Sequence, residues 1–128
     1  AEKDTLTANR SSEVRSTMEM TQRMTQWAAE TPKLAERASN GDRQAQAELE
    51  RRNRVLNQMS GMLQGQIASQ STMNSVRRGE LSRQWSDAAQ TDRELARYYG
   101  RNGEKDKARY YNERAADFEN GAKRLRKD

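Results

Sequence analysis

The sequence predicts an all-α fold: an elongated antiparallel helical bundle with one long central helix and a C-terminal helical hairpin. Apolar residues make up only 32% of the 128 residues, and the mean hydropathy is −1.32, which suits amphipathic helices around a thin core. Good helix formers dominate, whereas β-formers are rare, with a single phenylalanine. One proline and seven glycines leave few breaks, so we expect a single helical domain over residues 1–128.

The first helix should begin near Ser11, after a polar segment, residues 1–10, that we expect to fray. Serine is a good N-cap, and apolar residues recur near helical spacing from Val14 to Trp27. Thr31-Pro32 predicts a restart, with proline at the first position of a short helix that ends at Ser39. Asn40-Gly41-Asp42 then predicts a helix stop followed by a new acidic N-terminus.

The long central helix is predicted from Asp42 to about Arg78, because this segment contains no proline and carries a heptad repeat. Leucine recurs every seven residues on one seam. Val55, Met62 and Ile67 widen the stripe. The two seams consist of Leu49, Leu56 and Leu63, and of Arg52, Met59, Gln66 and Met73.

Residues 80–128 are predicted to form a charged helical hairpin. An apolar stripe runs from Leu81 to Tyr99, and Gly100-Arg101-Asn102-Gly103 is a strong turn signal. The last helix should run from about Glu104 past Phe118 toward Leu125. Short loops favour antiparallel packing of neighbouring helices.

An uncharged run from Val55 to Val76 is the most informative feature, in a chain where 34% of residues are charged. A helix face in contact with protein would exclude charge, because an unpaired buried charge costs far more than a bonded amide or hydroxyl. Gly61, Gly65 and Ser69 lie four residues apart and form a ridge of small residues. Two mid-helix glycines cost about 1 kcal/mol each relative to alanine, which close packing would offset.

The uncharged run therefore predicts a helix face that contacts protein. We accordingly expect the chain to be a non-catalytic structural or assembly subunit. Whether the neighbour is this chain's own core, a second copy or another subunit stays open. The residues predicted to form the interface are Leu56, Met59, Gly61, Met62, Leu63, Gly65 and Ile67.

Catalysis finds no support in the sequence. Without histidine or cysteine, the commonest general base and the thiolate nucleophile are absent. No phosphate-binding loop, metal-ligand spacing or serine elbow is visible, so we predict no catalytic, cofactor-binding or metal-binding residue and no enzyme activity. No stretch is apolar enough to span a bilayer, and no signal peptide is visible.

A basic helical protein that binds nucleic acid or has a regulatory role is the alternative. The net charge is +5, and the pairs Tyr98-Tyr99 and Tyr110-Tyr111 lie among arginines and lysines, which together could stack on and neutralise a single strand. Acidic residues such as Glu94 and Glu104 lie among these bases, and the excess charge is spread along the chain. One basic cluster, Lys123 to Lys127, ends the last helix.

Part of the chain resembles the long helix of minor pilins from type IV secretion and conjugation machines. Those proteins show a Leu/Asn/Gln/Ala-rich helix after a polar turn, here Ser39 to Asp42, and the resemblance covers residues 30–76. It implies a largely periplasmic or surface-exposed three-helix bundle that acts at the pilus tip or in its assembly, without enzymatic activity. Otherwise a cytoplasmic location is expected. The matching segments are Ala45–Leu49, Leu56–Met59, Leu63–Ile67 and Ala68–Gln70.

Overall fold

A computed structural model describes the backbone of residues 2–127 and the side chains of Ser12 and residues 14–127. That part of the chain is helical and contains no strand, which confirms the all-α bundle. The longest helix has 38 residues, about 57 Å at 1.5 Å per residue, so the bundle is elongated. The elements are α1 (Glu2–Ser39), α2 (Arg43–Ala68), a 3-10 turn (Gln70–Thr72), α3 (Ser75–Arg101) and α4 (Lys105–Arg126).

Consecutive helices run antiparallel, and α3 packs most closely on its neighbours, α4 and α1. Because α1 and α3 run in the same direction, Thr21 lies beside Gln84 and Thr25 beside Asp87. The helix α2 packs less closely against α1 and α4, and least closely against α3. The prediction that the helix beginning at Asp42 is the central one is therefore wrong: α3 has the central place in the packing, and α2 lies across the bundle from α3.

The first helix begins earlier than its sequence suggested. Its backbone is already helical at Glu2, so all of 2–10, which we expected to fray, belongs to α1. Ala1 lies outside the described residues.

The predicted restart at Thr31-Pro32 is wrong, because α1 continues through Pro32 to Ser39. Proline removes one backbone donor and strains the preceding turn. The neighbouring Trp27 carbonyl accepts hydrogen bonds from the Thr31 hydroxyl and, at 3.5 Å, from the Arg52 guanidinium. Arg52 also donates to the Thr31 hydroxyl at 2.8 Å. Donors from α2 thus support α1 at the turn that proline weakens.

The predicted helix from Asp42 to Arg78 is also wrong in its extent, because α2 ends at Ala68 and α3 begins at Ser75. Short polar side chains compete for the backbone in between. The Thr72 hydroxyl donates to the Ser69 carbonyl, and the Asn74 side chain caps α3 by accepting from the Arg77 amide at 2.8 Å. The uncharged run therefore includes the second half of α2, the connection and the first two residues of α3.

The C-terminal hairpin agrees with the prediction, with its turn between Arg101 and Lys105. Gly103 has φ +81°, a left-handed conformation that glycine adopts without strain. Gly100 and Ala108 face each other across the hairpin, where a Cβ on Gly100 would lie 3.7 Å from that of Ala108. Small residues thus let α3 and α4 approach closely just before and after the turn.

Candidate protein-interaction surface

The structure divides the seven predicted interface residues into two groups. Four of them are buried inside the bundle and belong to this chain's own core: Leu56, Met59, Leu63 and Ile67. The other three are exposed on the outside of α2: Gly61, Met62 and Gly65. The heptad stripe is therefore internal, and only the second group can meet a partner.

The outer side of α2 has two halves of different character. In the N-terminal half, the exposed residues include four charged side chains; in the C-terminal half, none is charged. We name these surfaces the charged face (Arg43, Gln44, Ala47, Glu50, Arg51 and Arg54) and the uncharged face (Asn57, Gln58, Gly61, Met62, Gln64, Gly65 and Ala68).

Two glycines of the uncharged face have open space beside them in the part of the chain that the structure describes. A Cβ built on Gly61 or on Gly65 would meet no other atom within 4 Å. Gly121 on α4 differs, because its Cβ would lie 2.6 Å from the Leu63 Cδ1 atom. Glycine at 121 thus avoids a clash with Leu63 where α4 packs on α2. At 61 and 65, by contrast, the lower helix propensity of glycine has no compensating contact inside the described chain.

Beside the uncharged face, a groove of about 460 Å³ runs between α2 and α4. Its floor lies over Leu63, Ile67 and Phe118, which are themselves buried in the core. On α2 the wall is formed by Ser60 and Gln64, which are polar but uncharged.

The α4 wall of this groove carries charge. Glu113 and Asp117 are exposed, one helical turn apart, and Arg124 lies further along the same wall. Within residues 14–127, none of these three side chains forms an ion pair in the structure. Other carboxylates do, such as Glu119 with Arg93 and Asp42 with Arg37.

A buried ion pair holds the groove's α4 wall in place. Arg114 donates two hydrogen bonds to Asp92 of α3, at 2.8 and 2.7 Å, and both side chains are almost fully buried. Burial raises the pKa of the Asp92 carboxyl, although the Arg114 contacts offset part of that effect. Arg114 also donates to the Asn53 carbonyl of α2 at 3.5 Å, so one guanidinium joins three helices. Removing one partner of such a pair typically destabilises a protein by about 3–5 kcal/mol.

Two further buried contacts fix the position of α2. The Trp85 indole donates to the Gln66 side chain at 2.7 Å, and Arg52 donates to the Thr31 hydroxyl. Arg51, followed by Arg52, lowers the pKa of Glu48 through hydrogen bonds. The uncharged face is therefore presented by a helix that is anchored to α1, α3 and α4.

The tyrosine pairs that suggested nucleic-acid stacking are mostly used for packing. Tyr98, Tyr99 and Tyr111 are buried, and the Tyr99 and Tyr111 rings stack with centroids 5.2 Å apart. Burial raises the pKa of both hydroxyls. Only Tyr110 is exposed among the four, and its hydroxyl donates to Asn57 at 3.2 Å. These rings offer no continuous platform for bases.

Acidic groups do not converge into a metal site anywhere in the described residues, since no three carboxylates lie close enough to hold an ion. Over the same part of the chain, no helix combines the length and the apolar character needed to cross a bilayer.

Comparison with protein-family models, with curated proteins and with solved structures finds no match for this chain. The three-helix bundle that the resemblance to minor pilins implies differs from the four helices of the described residues. The resemblance itself stays a prediction.

Sequence reasoning did not single out the Asp92–Arg114 pair or the carboxylates of the groove. One pattern could have indicated Asp92: it lies four residues after Ala88 and three before Leu95, on the apolar stripe of α3. A charged residue on such a stripe predicts a buried partner. The sequence gives no such indication for Glu113 and Asp117, because carboxylates are common on the surfaces of helices.

Proposed function

We propose that this protein is a non-catalytic structural or assembly subunit that binds another protein through the uncharged face of α2. The contrast between the two faces of α2 carries this proposal. Both are exposed on one helix of one bundle, yet charge is absent from the half that also holds two uncompensated glycines. Small residues at a helix surface let a second backbone approach closely.

A substitution at Gly65 and a matched one at Ala47 test this proposal. The two residues are 18 positions apart, which is five helical turns, so their side chains point the same way. Because a Cβ at Gly65 meets nothing within 4 Å, Gly65→Arg should leave the fold intact while it blocks close approach. Ala47→Arg places the same side chain on the charged face.

A photoreactive phenylalanine analogue at position 65 or at position 47 then identifies the contact. We expect an adduct with a defined protein from position 65 and none from 47, in the cells that make the protein. Light scattering first shows whether the partner is a second copy, which Gly65→Arg would then dissociate. Equal labelling from both positions, or none from either, would contradict the proposal.

A secretion or conjugation machine is the setting that we propose for such a subunit, on the resemblance of residues 30–76 to minor pilins. The polar turn from Ser39 to Asp42 followed by a heptad helix supports it, because Asp42 caps α2 by accepting from the Gln44 and Ala45 amides. Photo-crosslinking from position 65 tests this setting as well, since it would recover a pilus or secretion-channel subunit.

Nucleic-acid binding is a second candidate, favoured by one observation. The basic turn from Lys123 to Lys127 ends α4 beside the start of α3, where the Arg78 guanidinium donates to the Lys127 carbonyl at 3.1 Å. Basic residues distant in sequence thus meet at one end of the bundle. A binder of this kind would lose affinity steeply as salt rises, so titration of mixed RNA and DNA at 50 and 200 mM salt separates it from a protein-binding subunit.

A further inference from the structure

The net charge of the chain is concentrated at one end of the bundle, although basic residues are spread along the sequence. Residues 74–83, at the start of α3, and 120–128, at the end of α4, contain seven of the 24 basic residues and two of the 19 acidic ones. The rest of the chain therefore holds 17 residues of each sign, so the net charge of +5 comes entirely from these two segments. We name the surface formed by their bases the basic end (Arg77, Arg78, Arg83, Lys123, Arg124, Arg126 and Lys127).

Contacts between α3 and α4 bring the two segments side by side. The Arg78 guanidinium donates to the Lys127 carbonyl at 3.1 Å, and the Ser82 hydroxyl donates to the Ala122 carbonyl at 2.8 Å. All the side chains of the basic end except that of Arg78 are classed as exposed. Several cations on one surface add their attraction for the same partner, so this end favours a partner with many negative charges.

Exposed apolar side chains lie near the basic end. Among residues 14–127, five large apolar side chains are exposed, and three of them are Val14, Met18 and Val76, with exposed fractions of 59, 51 and 74%. Met18 lines a shallow groove between α1 and α3 together with Glu80 and Arg83. One helical turn separates Val14 from Met18, and one turn separates Val76 from Glu80. Because α1 and α3 run in the same direction, both valines lie where this groove reaches the basic end.

This combination favours a membrane surface over a nucleic acid. Apolar side chains are stabilised at the boundary between headgroups and acyl chains, and basic side chains beside them contact anionic headgroups. A nucleic acid offers phosphates but no apolar layer for Val76. Single-strand binders also need exposed aromatic rings beside their bases. The one exposed aromatic side chain in the described residues, Tyr110, lies about 20 Å from Lys123 along α4.

We propose that the basic end docks on the surface of a membrane that contains anionic lipids. Its arginines and lysines contact the headgroup phosphates, and Val14, Met18 and Val76 enter the boundary with the acyl chains. This contact goes beyond the proposed function, because it uses α1, α3 and α4 and leaves the uncharged face of α2 to a protein partner.

Co-sedimentation of the full chain with lipid vesicles tests the charge part of this docking. We expect vesicles of phosphatidylcholine with about 30% phosphatidylglycerol to bind at least about tenfold more tightly than phosphatidylcholine alone at about 0.1 M salt, and this ratio to shrink at about 0.5 M salt.

Two triple variants with the same loss of charge locate the contact. K123Q/R124Q/R126Q should weaken binding to the anionic vesicles at least about tenfold, because each base near the surface contributes. The matched control, K33Q/R43Q/K105Q, removes three exposed bases toward the other end of the bundle and should weaken binding less than about threefold. Thermal melts establish that each variant is folded.

An environment-sensitive dye measures the apolar part of the contact. Because the chain has no cysteine, Val76→Cys accepts a single thiol-reactive nitrobenzoxadiazole dye. We expect its fluorescence to rise at least about twofold and to shift to the blue with the anionic vesicles, because the dye enters an apolar layer. The same dye on Ala47→Cys, in the charged face, should show no change.

Equal binding of the two kinds of vesicle, no binding of either, equal losses in the two triple variants, or an unchanged dye at position 76 would overturn the proposal. Binding of RNA or DNA without binding of vesicles would overturn it too, by assigning the basic end to a nucleic acid. The proposed function fails separately. Vesicle binding without a protein adduct from position 65 would contradict only the interface on α2, and an adduct without vesicle binding would contradict only the membrane contact.

Discussion

The two halves of α2 have the same inner side and different outer sides. Inside, Leu49 and Leu56 in the first half and Leu63 in the second are all buried in one continuous core. Outside, the charged face carries Glu50 and Arg54, whereas the uncharged face carries amides, glycines, one methionine and one alanine. Packing within the chain thus explains the heptad stripe, but it does not explain the missing charge, because exposed residues of a free bundle have no reason to exclude it.

A segment can lack charge for two physical reasons, and this difference separates them. Residues such as Leu56 and Ile67 are uncharged because they are buried in this chain. Gly61, Met62 and Gly65 are exposed, so their lack of charge points to a contact outside it. Stability measurements on the isolated chain separate the two reasons, because an external contact contributes nothing there.

The largest effects should come from the inner side, and they should be equal in the two halves. Leu49→Ala and Leu63→Ala each remove a buried side chain and leave a cavity, so each should lower the free energy of unfolding by about 2–5 kcal/mol. Urea unfolding followed by circular dichroism measures both. Met62→Ala is the control and should change it by less than about 0.5 kcal/mol. A loss below 1 kcal/mol at Leu63 alone would mean that the second half is not packed as described.

A smaller loss is expected where α4 packs on α2. Gly121→Ala would place a Cβ 2.6 Å from Leu63, so that side chain must move within a packed core. We expect a destabilisation of about 1–3 kcal/mol by urea unfolding, typical of overpacking. The double variant with Leu63→Ala should lose less than the sum of the two single changes, because the clash is then absent. Additive losses would show that Leu63 and Gly121 do not meet.

The two glycines of the uncharged face should respond in the opposite direction. Gly61→Ala and Gly65→Ala have space for the new methyl group, so each should stabilise the isolated chain by about 0.5–1 kcal/mol through helix propensity. Thermal unfolding at one protein concentration compares the stability of each variant with that of the unsubstituted chain. Ala47→Gly on the charged face should lower the stability by a similar amount. Destabilisation at 61 or 65 would reveal a close contact in the free protein, such as self-association, which light scattering would then show.

Local patterns were enough to predict much of this fold. The heptad from Leu49 to Leu63 gave the buried side of α2, and Gly100 to Gly103 gave the turn of the hairpin. The same heptad already places Gly61 and Gly65 opposite the leucine seam, so their exposure was available from the repeat. The predicted interface was wrong to combine these glycines with Leu63, because the repeat places them on opposite sides of the helix.

The breaks in the helices were harder to predict, because they depend on contacts between distant residues or on weak local preferences. Pro32 is accommodated in α1 where Arg52, twenty positions away, donates to the neighbouring Trp27 carbonyl. The end of α2 at Ala68 has no proline, and it depends on serine, threonine and asparagine side chains that bind the backbone. The groove needs α4 beside α2, a pairing that no local pattern of either helix contains.

The smallest effect on stability should come from adding charge to the uncharged face. Gln58→Glu with Met62→Lys places an exposed Glu–Lys pair at i,i+4, the arrangement that stabilises helices by about 0.2–0.5 kcal/mol. The two single variants complete a double-mutant cycle, and urea unfolding measures all four proteins. A gain of this size, or no change, would show that the fold accepts charge here as readily as on the charged face, so its absence reflects a demand from outside the chain. A loss above 1 kcal/mol would mean that the folded chain itself excludes charge from this surface, and no external partner would be needed to explain its absence.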